Sequence, residues 1–143
     1  MKTDYKNIIL FVNILDKYST YKLPQKINFA ITKNLINLNI HVEIYSRSLE
    51  NIYNVYDSYM LKDEDGNNLC YDSGLYQVDD AHFKEYSDEI TQLLDTEVEI
   101  DLYYVDFSVF DYDDGEKYDL LSPSDIITLK QILCKSDEEK EDG

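Results

Sequence analysis

The stretch from Pro24 to Met60, PQKINFAITKNLINLNIHVEIYSRSLENIYNVYDSYM, decides the fold. Ile27, Ile31, Leu35, Leu38, Val42, Tyr45, Leu49, Ile52, Tyr56 and Tyr59 recur in alternating steps of four and three, with no Gly or Pro until Gly66. That is the 3.5-residue apolar period of a helix packed along one seam. Proline suits a first helical turn, where its missing N–H would have no partner, so the helix is expected to start near Pro24. Unbroken over about 38 residues it would make a rod of roughly 57 Å. Either it bends near Asn37 to His41, where helix propensity falls, or its far half meets another element or another chain.

Upstream, Asp4 reads as the N-cap of a first helix reaching about Tyr18, with Ile8, Phe11, Val12, Leu15 and Tyr18 on one face. Asn7, Asn13 and Asp16 interrupt its apolar residues, and no run approaches membrane-spanning length, so neither a signal peptide nor a span is expected. Downstream, KDEDGNN at 62–68 reads as a turn, and the segments 69–71 and 75–78 as a short hairpin with Gly74 at positive φ. Asp79 or Asp80 then caps a third helix carrying Phe83, Tyr86, Ile90, Leu93 and Leu94, with His82 in its first turn. In TEVEIDLYY, Val98, Ile100, Leu102 and Tyr104 alternate with Glu97, Glu99, Asp101 and Tyr103, the pattern of a half-buried strand. Past Tyr104 the apolar residues are Val105, Phe107 and Val109, the opposite parity, so a bulge, bend or turn is expected near 103–105. Ser122, Pro123 and Asp125 mark the start of a last helix bearing Ile126, Leu129, Ile132 and Leu133. The order ααββαβα predicts an α+β fold: a long helical hairpin joined to a small antiparallel sheet covered by two short helices. Residues 1–134 form one domain, divided into the hairpin (1–61) and an acidic, sheet-bearing half (62–134). Residues 135–143 read as a disordered acidic tail, and no internal repeat is apparent.

With 143 residues and 43% hydrophobic side chains the chain can bury a real core despite a net charge of -17. The charge is uneven: residues 1–61 net +2 and residues 62–143 net -19. Nucleic-acid binding by the chain itself is therefore disfavoured. Cys70 and Cys134 lie far apart and outside metal or redox spacing, which places the chain in a reducing compartment, the cytoplasm. The heavy use of Ile, Asn, Lys and Tyr suggests an AT-rich coding genome.

Catalytic and metal motifs fail on spacing. The loop from Asp63 has glycine at position four and Gly74 at position twelve, and that from Asp111 has glycine at five and Ser122 at twelve, so neither is an EF-hand. His41 and His82 have no cysteine within zinc-ligand spacing, no serine sits in a GxSxG elbow, and four glycines make no phosphate loop. Glu138-Glu139-Lys140 resembles part of a nuclease set but falls in the tail. The expectation is no enzyme, no cofactor and no metal.

Four segments, KLPQKINFAITKN (22–34), KDEDGN (62–67), TEVEIDL (96–102) and LSPSDIITL (121–129), together resemble a family of small proteins of unknown function encoded by phages and prophages of Gram-positive bacteria. The resemblance spans about residues 5 to 133 through the order and spacing of these motifs. It implies a setting, the bacterial host cytoplasm, and carries over no catalytic residue. The long helix rich in Asn and Tyr, the segment DYDDGEKYD and the acidic tail depart from the family pattern.

In that setting the acidity suggests an inhibitor of a basic, nucleic-acid-handling host defence protein, of anti-CRISPR or anti-restriction type, acting as a nucleic-acid mimic. Its contacts would be Glu97, Glu99, Asp101 and Tyr103 along the strand, at about 6.6 Å per same-face step, with Asp111, Tyr112, Asp113, Asp114 and Glu116 near its end. Tyr71, Tyr76, Tyr103, Tyr104, Tyr112 and Tyr118 would add rigid contact area for arginine, or else fill core space. The alternative is a non-enzymatic phage structural or assembly module acting through the long helix, which could pair with itself as a homodimer. A small-ligand sponge lacks the basic pocket a phosphate needs.

Overall fold

The computed structural model describes residues 1–113 and 116–135. Asp114, Gly115 and the tail segment 136–143 lie outside the described residues. A short strand β1 (Lys2–Asp4) leads directly into α1 (Tyr5–Ser19), followed by α2 (Gln25–Val55), α3 (Phe83–Leu94), β2 (Glu97–Glu99) and α4 (Pro123–Leu133). Single 3-10 turns cover Asp57–Tyr59 and Phe107–Phe110. The mixed α+β class expected from the sequence is the class found.

The helix starts follow their local chemistry. Asp4 Oδ1 accepts the Asn7 N–H at 2.9 Å, and Ser122 and Asp125 cap α4 reciprocally, with Pro123 in its first turn. α2 starts next to Pro24, as expected, though the proline stands as its N-cap rather than inside its first turn, and the helix runs through Asn37–His41 as one element of 31 residues, about 46 Å. The helix therefore stops short of the 38 residues its apolar period suggested, because the chain tightens into the 3-10 turn at Asp57. No bend is needed, since its two halves serve two different cores.

The first half packs against α1, which α4 joins from its other side, in the main core, where Ile8, Leu15, Ile27, Ile31, Leu38 and Leu129 are buried. The far half meets the segment 60–78 and α3 around Tyr56, Met60, Val78, Tyr86 and Ile90. Tyrosine dominates this second core: Tyr53 packs on Tyr76 and Tyr86, and Tyr56 meets Tyr86 edge-on at 5.3 Å. The Tyr86 hydroxyl donates to the Tyr76 carbonyl at 2.6 Å.

The segment 60–78 contains a repeat that the sequence does not announce. Leu61 N–H donates to Gln77 O, Gln77 N–H to Leu69 O, and Leu69 N–H to Leu61 O, closing a three-way ring at eight-residue spacing. Each arm turns in the same way, with Gly66 and Gly74 at φ +85° and +89°. The expected hairpin of 69–71 with 75–78 is reduced within this ring to one bridge, Cys70–Tyr76, one of three isolated bridges among the described residues, while Gly74 takes the expected positive φ. Only Leu and Gly recur at the matching positions, because the repeat resides in backbone geometry and those are the residues it constrains.

The sheet is β1 paired antiparallel with β2, Thr3 opposite Val98. The expected strand 97–104 keeps its ladder only to Glu99, with Ile100 N–H adding one further bond to Met1 O at 2.9 Å. The reason for the break is Asn34. Fully buried on α2, its side-chain amide donates to Tyr103 O at 2.9 Å while its carbonyl accepts Tyr103 N–H at 2.6 Å. The amide stands in for a neighbouring strand at one residue, and the chain changes parity there, as the 103–105 pattern required. Val105 N–H then bonds Leu133 O at 2.8 Å. The two short helices lean chiefly on helices, α3 on α2 and α4 on α1. Val98 and Ile100 of the sheet strand join the main core.

A second polar lock joins α1 to α4. The buried Tyr18 hydroxyl donates to the Asp125 carboxylate, which also caps α4. Burial, then that hydrogen bond and charge, push the Tyr18 phenol up to about 12. The same bond, with help from the Ser122 N–H, holds the Asp125 carboxyl below the usual carboxylate range. For Asp125 the folded value is depressed, so its stabilisation is present above about pH 4 and fades as pH falls through the lowered value. For Tyr18 the folded value is raised, so its stabilisation is complete below about pH 10 and fades as pH rises towards 12. Denaturant midpoints measured against pH should therefore show a flatter alkaline limb in Tyr18→Phe and a flatter acid limb in Asp125→Asn. Unchanged limbs in both variants would show that this contact carries no proton linkage.

Candidate protein interface

The predicted acidic site divides into two groups. Glu97, Glu99 and Asp101 are exposed beside β1, at the start of α1. Asp111, Asp113 and Glu116 are also exposed, whereas Tyr112 is half-buried. The Tyr112 hydroxyl donates to Asp119 O at 2.8 Å, and Asp119 is tied to Lys22 by two bonds of 2.7 and 2.8 Å, just past the end of α1. The 15 residues of α1, about 22 Å, lie between the β2 group and this loop. The strand carboxylates and the loop carboxylates thus form two patches, and Asp114 lies outside the described residues.

Glu99 is also occupied. The Met1 ammonium sits 2.8 Å from its Oε1, and that bond and charge hold its carboxyl below the ordinary range. Of the six tyrosines considered for contacts, Tyr71 and Tyr76 pack in the second core and Tyr112 against the main core. Tyr104 is half-buried, while Tyr103 and Tyr118 stay exposed.

Tyr103 belongs to a different surface, one that the reading of the sequence did not single out. Its ring meets Phe29 edge-on at 5.3 Å, and the Lys33 ammonium lies 5.7 and 5.9 Å from the two ring centres. Beside them opens a groove of about 430 Å³ lined by Lys26, Phe29, Tyr103, Val105 and Val109. From Phe29 the outer face of α2 continues through Ile36, Ile40 and Ile44, which are 65%, 61% and 48% exposed. At 100° per residue these four side chains fall within about 80° of arc, diametrically opposite Ile27, Ile31, Leu38 and Tyr45, which face the core. The long helix therefore has two apolar stripes. The inner one holds the protein together, and the outer one meets solvent. Its signal was available in the spacing of Ile36, Ile40 and Ile44, but a search for one apolar seam stops at the stronger stripe.

His82 precedes α3 rather than lying in its first turn. Its ring stacks on Tyr59 at 3.5 Å, and Nδ1 lies 2.7 Å from Asp79 Oδ1, which also accepts the His82 N–H at 3.0 Å. These bonds anchor the start of α3. Among the described residues no group of three or more His, Cys, Asp or Glu could hold a metal ion, and no helix is long and apolar enough to cross a membrane.

What the fold and these faces define is an α+β protein whose most conspicuous unsatisfied feature is an exposed isoleucine stripe on its longest helix. Compared with protein-family models, curated proteins and solved structures, the chain matches none.

Proposed function

We propose that this chain is a non-catalytic protein-interaction module that docks through the outer face of α2, in keeping with an assembly role for a phage-encoded protein. The observation that carries this reading is the exposure of Ile36, Ile40 and Ile44 in line with Phe29. Large apolar side chains scattered singly on a surface need no explanation, whereas a contiguous stripe on a rigid element marks a surface that another element covers. The stripe also sits in the half that nets +2, where a partner meets the least repulsion. The phage setting rests on the resemblance of the four short motifs.

The acidic-mimic reading keeps one specific support: the half from residue 62 nets -19. In that reading the partner is a basic host protein of the nucleic-acid-handling class, and binding weakens as salt rises. Its contacts would come from one of the two acidic patches at a time.

One experiment separates the readings. Tagged chain is used to capture partners from infected and uninfected host extract, in three forms: native, Ile36→Glu with Ile40→Glu, and Glu97→Gln with Asp101→Asn and Asp111→Asn. Docking through α2 predicts that the isoleucine variant loses its partners while the amide variant keeps them, with little salt dependence. The opposite pattern would assign the binding to the acids, and equal capture by all three forms would sink both readings.

A further inference from the structure

The outer stripe of α2 fits one particular occupant, and we infer that it is a second copy of this chain, with the two α2 helices antiparallel about a twofold axis that crosses the stripe between Ile36 and Ile40, level with Leu38 along the helix. The inference rests on the reading of that face as the docking surface and names what covers it.

An isologous contact must be complementary to itself, each residue meeting its symmetry mate's counterpart. With the axis level with Leu38, Ile36 of one copy meets Ile40 of the other, and the reverse, at the centre of the contact. Phe29 comes level with Arg47 of the other copy, where a guanidinium can lie on the ring. Lys33 comes beside Ile44, whose exposed surface its aliphatic stem can cover while the ammonium remains in water. Glu43 already pairs with Arg47 at 3.0 Å within each helix, so the arginine enters the contact with its charge balanced.

Charge selects the antiparallel arrangement over the parallel one. The second core and its loops carry Asp57, Asp63, Glu64, Asp65 and Asp72 at the far end of α2, whereas Lys26 and Lys33 lie in its first half. Parallel pairing would set the two acidic ends side by side. Antiparallel pairing sets each acidic end beside the other copy's first half, where Lys22, Lys26 and Lys33 offset the loop acids Asp111, Asp113 and Asp119, and holds the two strongly acidic ends about 50 Å apart. Opposed helix dipoles add in the same sense.

The stripe supplies about half the area such a contact takes, as its apolar centre. Four side chains about half exposed present on the order of 400 Å² of apolar surface, the size of a functional patch. A stable interface takes roughly 800 Å² from each partner, with an apolar centre and a polar rim. Lys33, Asn37, Glu43, Arg47 and the Tyr103 ring surround the stripe and supply that rim.

Sedimentation equilibrium and light scattering on the full chain, over a wide concentration range, test the inference. The expected result is a reversible dimer of twice the chain mass. Ile36→Glu with Ile40→Glu should shift it to monomer with unchanged circular dichroism, because both side chains are exposed in the single chain, and with a melting temperature that no longer depends on concentration; Ile40→Ser should weaken it at least tenfold. Orientation is read by disulfide trapping in a Cys70→Ser background. A mixture of Phe29→Cys and Arg47→Cys chains should cross-link to each other and not to themselves, whereas self-cross-linking of each alone would overturn the antiparallel register. A strictly monomeric native chain overturns the inference but leaves the docking face standing if the isoleucine variant still loses captured partners. A dimer that survives the double substitution overturns it as well.

Discussion

Replacement of Asn34 by leucine is expected to cost about 3 kcal/mol, although it exchanges a buried polar side chain for an apolar one of similar size. The usual gain from removing a buried amide is absent here because its partners are backbone groups that stay behind. Tyr103 N–H and Tyr103 O both bond the Asn34 side chain, at 2.6 and 2.9 Å, so the leucine leaves a donor and an acceptor unpaired in a partly buried place. Each such orphan costs about 1–3 kcal/mol. For a domain of this size the loss lowers the melting temperature by roughly 6–12 °C. Asn34→Asp sharpens the test: it retains the acceptor for Tyr103 N–H but sets a carboxylate against Tyr103 O, so it should be worse near neutrality and partly recover as pH falls and the carboxyl becomes a donor. Thermal melts of both variants check this. A leucine variant as stable as the native chain would mean that Tyr103 finds other partners and that Asn34 does not hold the bend.

Tyr86→Ala should be larger still, about 4 kcal/mol, as for other buried aromatic truncations. Tyr86 is 1% exposed at the centre of the second core, and its hydroxyl donates to Tyr76 O. Burial raises its phenol well above the ordinary tyrosine range, so the ring stays neutral at all physiological pH values. Tyr86→Phe removes only the hydroxyl and should cost about 1 kcal/mol, leaving the carbonyl of Tyr76 to find water. The location of the damage matters as much as its size. Because the second core contacts the main core mainly through the shared α2, native-state hydrogen exchange of Tyr86→Ala should quicken first at Leu61, Leu69 and Gln77, while α1 and α4 keep their protection. Uniform acceleration would mean that the two cores open as one unit.

Several features are legible in the residues themselves. Asp4, Pro24, Ser122 and Asp125 mark helix starts because capping is settled within four residues of chain. The inner stripe of α2 and the parity change at 103–105 are likewise patterns of neighbouring residues. β1 was not legible, since three residues, Lys-Thr-Asp, carry no strand signal until β2 lies beside them. Nor was the three-way ring of 60–78, which repeats in hydrogen bonds while its side chains differ. Nor is nearness in space legible from nearness in sequence for the candidate contacts: α1 separates Glu97, Glu99 and Asp101 from Asp111, Asp113 and Glu116. Charge counts say how much repulsion a chain carries, and only the path of the backbone says where it is concentrated.

What the amino-acid sequence determined by itself is the four helices, the long one among them, and the asymmetry of charge between the two halves, all of which follow from local periodicity, capping and composition. Tertiary structure decided which of the two apolar stripes on that helix is interior. Ile27, Ile31 and Leu38 are buried because α1 closes over them in the main core, and Ile36, Ile40 and Ile44 are exposed because no segment among the described residues covers them to the same degree. Periodicity can show that a helix has an apolar face, but burial depends on what the rest of the chain brings against it.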